Sequence, residues 1–334
     1  MDNTEHPYSA LTPDTVLDAI EAKGFRCDGR IFPLNSYENR VYQIGIEDEQ
    51  PLIAKFYRPN RWSEAQIREE QAFSFELAEQ EWPVVTPSKD SNGESLHSFG
   101  DFHFALFERK GGHAPELDNL ENLKVLGRCM GRLHAVGIEK PFAHRPGIDV
   151  QSYAIDSYRF LLDNNFIPAE LETAYRTLAE DLIERLQQSF AEVKYEPIRL
   201  HGDCHPGNIL WRDMGDTDNA PHFVDFDDCR MGPAVQDIWM LLSGERHQQQ
   251  AQLEAILSGY RQFCFFDARE LRLIEPLRTL RLMNYAAWLA RRWNDPAFPQ
   301  NFPWFNTERY WSEHILTLRE QLAALQEPPL EILN

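Results

Sequence analysis

The apolar positions of this chain change their spacing twice, and each change predicts a change of secondary structure. Residues 12–24 open on Thr12-Pro13-Asp14, a cap followed by proline in the first turn. Leu17 and Ile20 then recur at helical spacing, and Gly24 closes the segment. From Arg30 the pattern becomes short apolar runs separated by polar turns, over 31–34, 40–46 and 51–57, which predicts antiparallel strands. Residues 63–81 are rich in glutamate, with Ile67, Phe73, Phe75 and Leu77 forming the apolar side of an amphipathic helix. Two more strands are expected over 96–99 and 103–107, joined by Gly100-Asp101.

Gly111-Gly112 interrupts either periodicity and is the expected hinge. Beyond it helices are expected over 120–134, 153–166, 169–193, 234–242, 250–263, 268–293 and 308–325. They are interrupted between Ile198 and Val224, where short apolar segments flank turn residues. The expectation is an α+β chain: a small antiparallel-sheet lobe over residues 1–109, then a larger, mainly helical lobe over 110–334.

Composition narrows the function classes. A chain of 334 residues can hold one large domain or two lobes, and 43% hydrophobic with 26% charged residues is ordinary for a globular protein. The net charge of −20 argues against a nucleic-acid binder, which needs a basic patch, and against an anionic membrane surface. It suits a cationic small substrate or a basic protein segment, although most acidic surfaces are simply solvated. Five scattered cysteines without a Cys-x-x-Cys pair argue against a disulfide framework or a structural zinc site. The first residues show no secretory pattern, and no apolar run approaches the ~18 residues of a membrane span. A cytoplasmic monomer is expected.

The chemistry concentrates in His201-Gly202-Asp203-Cys204-His205-Pro206-Gly207-Asn208 and in Phe223-Val224-Asp225-Phe226-Asp227-Asp228. Asp203 and Asn208 have the Asp-x-x-x-x-Asn spacing of a kinase catalytic loop, in which the aspartate faces the acceptor hydroxyl and the asparagine binds metal. Asp225, ending an apolar strand, stands where a second metal-binding carboxylate belongs. Hard Mg²⁺ takes such oxygen ligands, and phosphoryl transfer also needs one unligated carboxylate to position the nucleophile. Upstream, Lys55 lies in the apolar run Leu52-Ile53-Ala54-Lys55-Phe56, where an unpaired ammonium would be costly. Glu70 on the next helix is the expected partner that aims Lys55 at the α- and β-phosphates of ATP, with neighbouring Glu69 as the alternative. No G-x-G-x-x-G and no Walker A sequence is present, so the turn at 35–40 would cover the phosphates, through the Ser36 hydroxyl and nearby backbone N–H groups. The Phe107-Glu108-Arg109 backbone is expected at the adenine edge.

With Leu200-His201-Gly202-Asp203-Cys204-His205, Asn208-Ile209-Leu210-Trp211-Arg212-Asp213 and Gly232-Pro233-Ala234-Val235-Gln236-Asp237 in place, the chain resembles the aminoglycoside-phosphotransferase-like branch of the protein-kinase superfamily. Within it the same three motifs, together with the stretch from Arg291-Arg292-Trp293-Asn294-Asp295-Pro296 through Asn301-Phe302-Pro303-Trp304, are similar to the bacterial stress response kinase A family. The resemblance implies a bilobed protein-kinase-like fold with ATP in the cleft, Mg²⁺, and Ser/Thr hydroxyls of proteins as acceptors. It implies Asp203 as proton acceptor, Asn208 and Asp225 as Mg²⁺ ligands, Lys55 as phosphate lysine and Ser36 as an ATP contact. Asp237 matches the buried carboxylate that braces the catalytic loop. Between Asp225 and Asp237 there is no long activation segment and no Ala-Pro-Glu, so control by activation-loop phosphorylation has no substrate here.

Three rival readings stand beside this one. His201-x-Asp203-x-His205 with Cys204 could be a zinc hydrolase signature, but that leaves Asn208, Asp225 and Lys55 unexplained. A catalytically dead nucleotide-binding regulator would lack the Asp, Asn or Lys that are present. A small-molecule kinase acting on an aminoglycoside, choline or an amino sugar uses the same Asp203. Acidic Asp227, Asp228 and Asp237 could hold a cationic acceptor or brace the metal. His134 and His201 are expected to brace the loop, Gly127-x-x-x-Gly131 to pack helices, and Trp304 and Trp311 to line the helical core or a substrate wall.

Overall fold

The computed structural model describes residues 6–212 and 221–332. Asp213, the last residue of one resemblance motif, lies outside the described residues. By internal packing the chain groups into two compact units: residues 1–116, 142–145 and 203–229, and residues 117–141, 146–202 and 230–334.

The first unit is built on one antiparallel sheet. Helix α1 (Pro13–Glu21) begins as expected at Thr12, whose hydroxyl accepts from Thr15 N–H. Strands β1 (Cys27–Pro33), β2 (Arg40–Ile46) and β3 (Leu52–Phe56) follow, then α2 (Glu64–Glu79), β4 (His97–Phe99) and β5 (Phe102–Glu108). The strand order is β1-β2-β3-β5-β4. Strand β1 starts four residues earlier than the apolar run at Ile31, because its first half pairs through an irregularity between Cys27 and Ile31 that the positive φ of Gly29 permits.

Alternation along β3 decides where the chemistry goes. Ala54 and Phe56 face a core made with Val16, Ala19 and Ile20 of α1. Lys55, between them, therefore points to the opposite face of the sheet, the side on which Ile67 of α2 packs with Leu96 and Ala105. Helix α2 starts at a capping box formed by Ser63 and Gln66. A short hairpin, Ile209–Leu210 with His222–Phe223, belongs to the same unit.

The second unit is helical: α3 (Leu120–Ile138), α4 (Asp156–Asp163), α5 (Ala169–Glu192), α6 (Val235–Trp239), α7 (Arg246–Tyr260), α8 (Ile274–Arg291), α9 (Ala297–Asn301) and α10 (Glu308–Ala324). Helices α3 and α7 approach closely: a β-carbon at Gly127 would overlap the Ile256 carbonyl, and one at Gly131 the Tyr260 carbonyl. The expected 153–166 helix is instead a π-helical turn, Gln151–Ile155, leading into a shorter α4. The expected 268–293 helix opens with a 3₁₀ segment, Ala268–Leu273, so that Pro276, which cannot donate, falls in the first turn of α8. Helix α7 begins four residues before the expected start at Gln250, at a capping box between Glu245 and Gln248. Trp311 is fully buried against Tyr175, Phe305 and Tyr310, whereas Trp304 is 45% exposed. Among the described residues no helix is long and apolar enough to cross a membrane.

Candidate active site

The loop after His201 is shaped by its own backbone. Gly202 has a φ of +84°, a conformation that side-chain-bearing residues rarely adopt. The two backbone N–H groups just before Asp203 are fixed by Asp237: its carboxylate accepts from His201 N–H at 2.9 Å and from Gly202 N–H at 2.8 Å. Asp237 is wholly buried, and His134 Nε2 lies 3.1 Å from its Oδ2 while His134 Nδ1 meets the Tyr260 hydroxyl at 2.9 Å. A buried carboxylate is tolerated only with such partners.

Next the chain closes a tight turn. His205 N–H and the Asn208 side-chain amide both donate to the Asp203 carbonyl at 2.9 Å. Committing the amide nitrogen leaves the amide oxygen as the side chain's acceptor, in a residue that lines the cavity described below. Asn208 carbonyl in turn accepts from Val224 N–H at 3.0 Å, which sets the strand before Asp225 beside the loop. Asp225 itself takes left-handed backbone angles, φ 62° and ψ 65°, which suit few side chains other than Asn and Asp. This turn stops the strand and leaves its carboxylate half exposed.

Lys55 joins these elements. Its ammonium lies 2.9 Å from Asp225 Oδ1, 3.4 Å from Asp227 Oδ1 and 3.7 Å from Glu70 Oε1. Burial works against its charge, but the three carboxylates outweigh that and hold its pKa well above the usual lysine value. Burial pushes the Glu70 carboxyl up, against the pull of Lys55 and Arg145. Burial also disfavours the charge on Asp227, yet Arg61 and Lys55 overcome it and hold that carboxyl low. Arg61 pairs with Asp227, and with Asp228 at 2.7 Å.

The choice between Glu69 and Glu70 is geometric. About 100° of helical rotation separates neighbours, so the two side chains leave α2 in different directions. Glu70 turns under the sheet toward Lys55, and Glu69 accepts from the backbone N–H groups of Ala143, His144 and Arg145.

That same segment supplies a residue the sequence reading missed. The Arg145 side chain is completely buried. Its guanidinium donates to the Gln66 carbonyl at 2.9 Å, the Asp227 and Cys229 carbonyls at 2.7 and 3.0 Å, and Glu70 Oε2 at 3.1 Å. It also lies over the Trp62 ring at 4.5 Å. One side chain thus clamps the helix carrying Glu70 to the loop following Asp225. Arg145 stands in a His-Arg-Pro-Gly stretch, and nothing in its local spacing signals this.

Above these groups lies a cavity of about 350 Å³. Val41, Ile53, Val85 and Leu210 form its apolar walls, and Ser36, Lys55, Asn208 and Asp225 its polar end. Ser36 Oγ donates to the Asn39 carbonyl at 3.2 Å, and Asn39 Oδ1 accepts from Arg58 N–H at 3.0 Å, so the turn is tied to the segment just after β3. Glu108 borders the cavity with its carboxylate largely in solvent, paired with Lys110 at 2.9 Å. Cys204 and Cys229 are both fully buried. An apolar slot with cationic and hard-oxygen groups at one end suits a nucleoside triphosphate.

The similarities agree with this geometry. The family model described as the phosphotransferase enzyme family matches residues 31–274. Stress response kinase A of Escherichia coli K12 is 46% identical over 332 residues, covering 99% of both chains. The serine/threonine protein kinase RdoA of Salmonella typhimurium is 44% identical over the same length and coverage. Among solved structures, the amicoumacin kinase hAmiN in complex with AMP-PNP, Ca²⁺ and Ami superposes with a TM-score of 0.72 at 19% identity, over 96% of this chain and 95% of that one. A microcompartment-associated aminopropanol kinase gives 0.72 at 18% identity, over 93% and 98%. The α+β fold is therefore kinase-like, and the chain belongs to the phosphotransferase enzyme family and, within it, to the stress response kinase A family of phosphate-transferring enzymes.

Proposed function

We propose that the chain is a cytoplasmic, monomeric serine/threonine protein kinase of the bacterial stress response, with ATP and Mg²⁺ as cofactors. Its lobes would be residues 1–109 and 110–334. The observation that carries the reading is the convergence of Lys55, Asn208 and Asp225 on one cavity, directly after a loop that presents Asp203. The donor set fits Mg²⁺: one carboxylate and one amide oxygen leave room for water and phosphate oxygens, as that ion prefers. Held by Asn208 and Asp225, the ion would neutralise negative charge on the phosphates.

In this reading Lys55, steered by Glu70, orients the α- and β-phosphates, while Ser36 and its turn cover them. The backbone at Phe107-Glu108-Arg109 meets the adenine edge. Asp203 accepts a hydrogen bond from the acceptor hydroxyl and finally its proton, and His201 and Asp237 hold that loop in shape. Full-length similarity to kinases named for proteins and stress favours a protein acceptor.

Incubation with γ-labelled ATP tests the reading. Label is expected in the chain itself or in a basic protein, and not in aminoglycosides, choline or amino sugars. Label confined to a small molecule would transfer the assignment to small-molecule kinases, and no label anywhere would end it.

A further inference from the structure

We propose that His205 is a positioning residue for Asp203: with substrates loaded, its Nε2–H donates to Asp203 Oδ2 and sets the direction from which the carboxylate meets the acceptor hydroxyl. The proposal rests on the reading of Asp203 as the carboxylate that faces the acceptor. Three features of the loop carry it.

The first is the tautomer. His205 Nδ1 accepts from Gly207 N–H at 3.0 Å, so in the neutral ring the proton must sit on Nε2. The second is direction. Nε2 lies 3.6 Å from Asp203 Oδ2, with both side chains partly exposed at the same edge of the loop. That separation is a few tenths of an ångström beyond a hydrogen bond, and bonds to reacting groups commonly tighten once ligands are loaded.

The third is the space made for the ring. A β-carbon at Gly207 would stand 2.7 Å from His205 Cε1 and 3.0 Å from Nδ1, so only glycine lets the imidazole lie over this backbone. His205 N–H bonds the Asp203 carbonyl and Asn208 N–H bonds the His205 carbonyl, both at 2.9 Å, which fixes the backbone from which both side chains leave. The same bonds exclude the ring as a base. Its Nε2 already carries a proton, and a proton on Nδ1 would break the bond to Gly207.

Replacement by asparagine separates capping from positioning. Asparagine is among the best side chains for accepting the N–H two residues on, so His205→Asn keeps the bond to Gly207 but is too short to reach Asp203. With loss of one charge-assisted donor, His205→Asn should lower kcat about tenfold, with KM for Mg·ATP within about twofold and an unchanged melting temperature. His205→Ala should show the same kcat loss and a lower melting temperature. Adding His205→Asn to Asp203→Asn should cause no further loss, because the two residues act as a unit.

Wild-type kcat in His205→Asn would show that the ring only caps the turn and would overturn the proposal. So would a loss expressed in KM and melting temperature together. Near-normal turnover in Asp203→Asn would overturn the underlying reading instead, a result distinguishable from failure of the positioning role alone.

Discussion

Lys55 Nζ and Asp225 Oδ1 stand 2.9 Å apart, a strand lysine and a turn aspartate separated by 170 positions. The pair matters because Asp225 is also the carboxylate proposed above to hold a metal ion. Asp227 and Glu70 remain beside Lys55 when Asp225 loses its charge, so the lysine stays paired. Asp225→Asn tolerates the same left-handed backbone. The variant should therefore fold normally and bind Mg·ATP at least about tenfold more weakly, the loss of one charged ligand. Calorimetric titration showing wild-type affinity would move the metal site elsewhere.

Asp203→Asn keeps the two bonds that the Asp203 carbonyl accepts, from His205 N–H and from the Asn208 side-chain amide. Nucleotide affinity should be unchanged while kcat falls by about 10²-fold or more, the usual contribution of a positioned proton acceptor. Single-turnover kinetics beside ATP titration measure both.

Arg145→Lys preserves charge but not the planar fork that reaches Glu70 and the 227–229 carbonyls at once. Breaking a buried charged cluster costs on the order of 3 kcal/mol, which chemical denaturation would read. The same variant should bind Mg·ATP more weakly, because Glu70 and the loop after Asp225 lose their common anchor. A variant as stable and as avid as wild type would refute the clamp.

Glu270 gives the fold a pH dependence. Burial pushes its carboxyl up to about 7 even though it accepts from Val235 N–H at 2.9 Å. The unfolded residue ionises near 4.5, so between those values the folded chain binds the extra proton. Stability from this group is complete below 4.5 and is lost as pH rises through 7. Glu270→Gln keeps an acceptor for Val235 without a charge. Its stability should match wild type at acid pH and exceed it above neutrality by up to about 3 kcal/mol, with a correspondingly higher melting temperature. Parallel thermal melts across this range decide the point; identical curves for both proteins would exclude the effect.

The chain by itself determined what depends on near neighbours. The Asp203-to-Asn208 spacing is a single loop closed by local bonds, so the loop itself was legible from eight consecutive residues. Lys55 was legible because an ammonium between Ala54 and Phe56 needs a carboxylate, and period-2 alternation says on which face of the sheet to seek it. Helix limits at Gln151, Ala268 and Arg246 were not legible, because caps and changes of helix type shift ends without altering the apolar pattern.

Only the tertiary structure decided which carboxylate meets which cation. Glu69 and Glu70 have identical chemistry, and their roles separate only when α2 is rotated onto the sheet with residues 143–145 at its side. Arg145 is invisible to periodicity for the same reason. Its partners come from residues 66, 70, 227 and 229, and electrostatic pairing over such separations in sequence has no local signature.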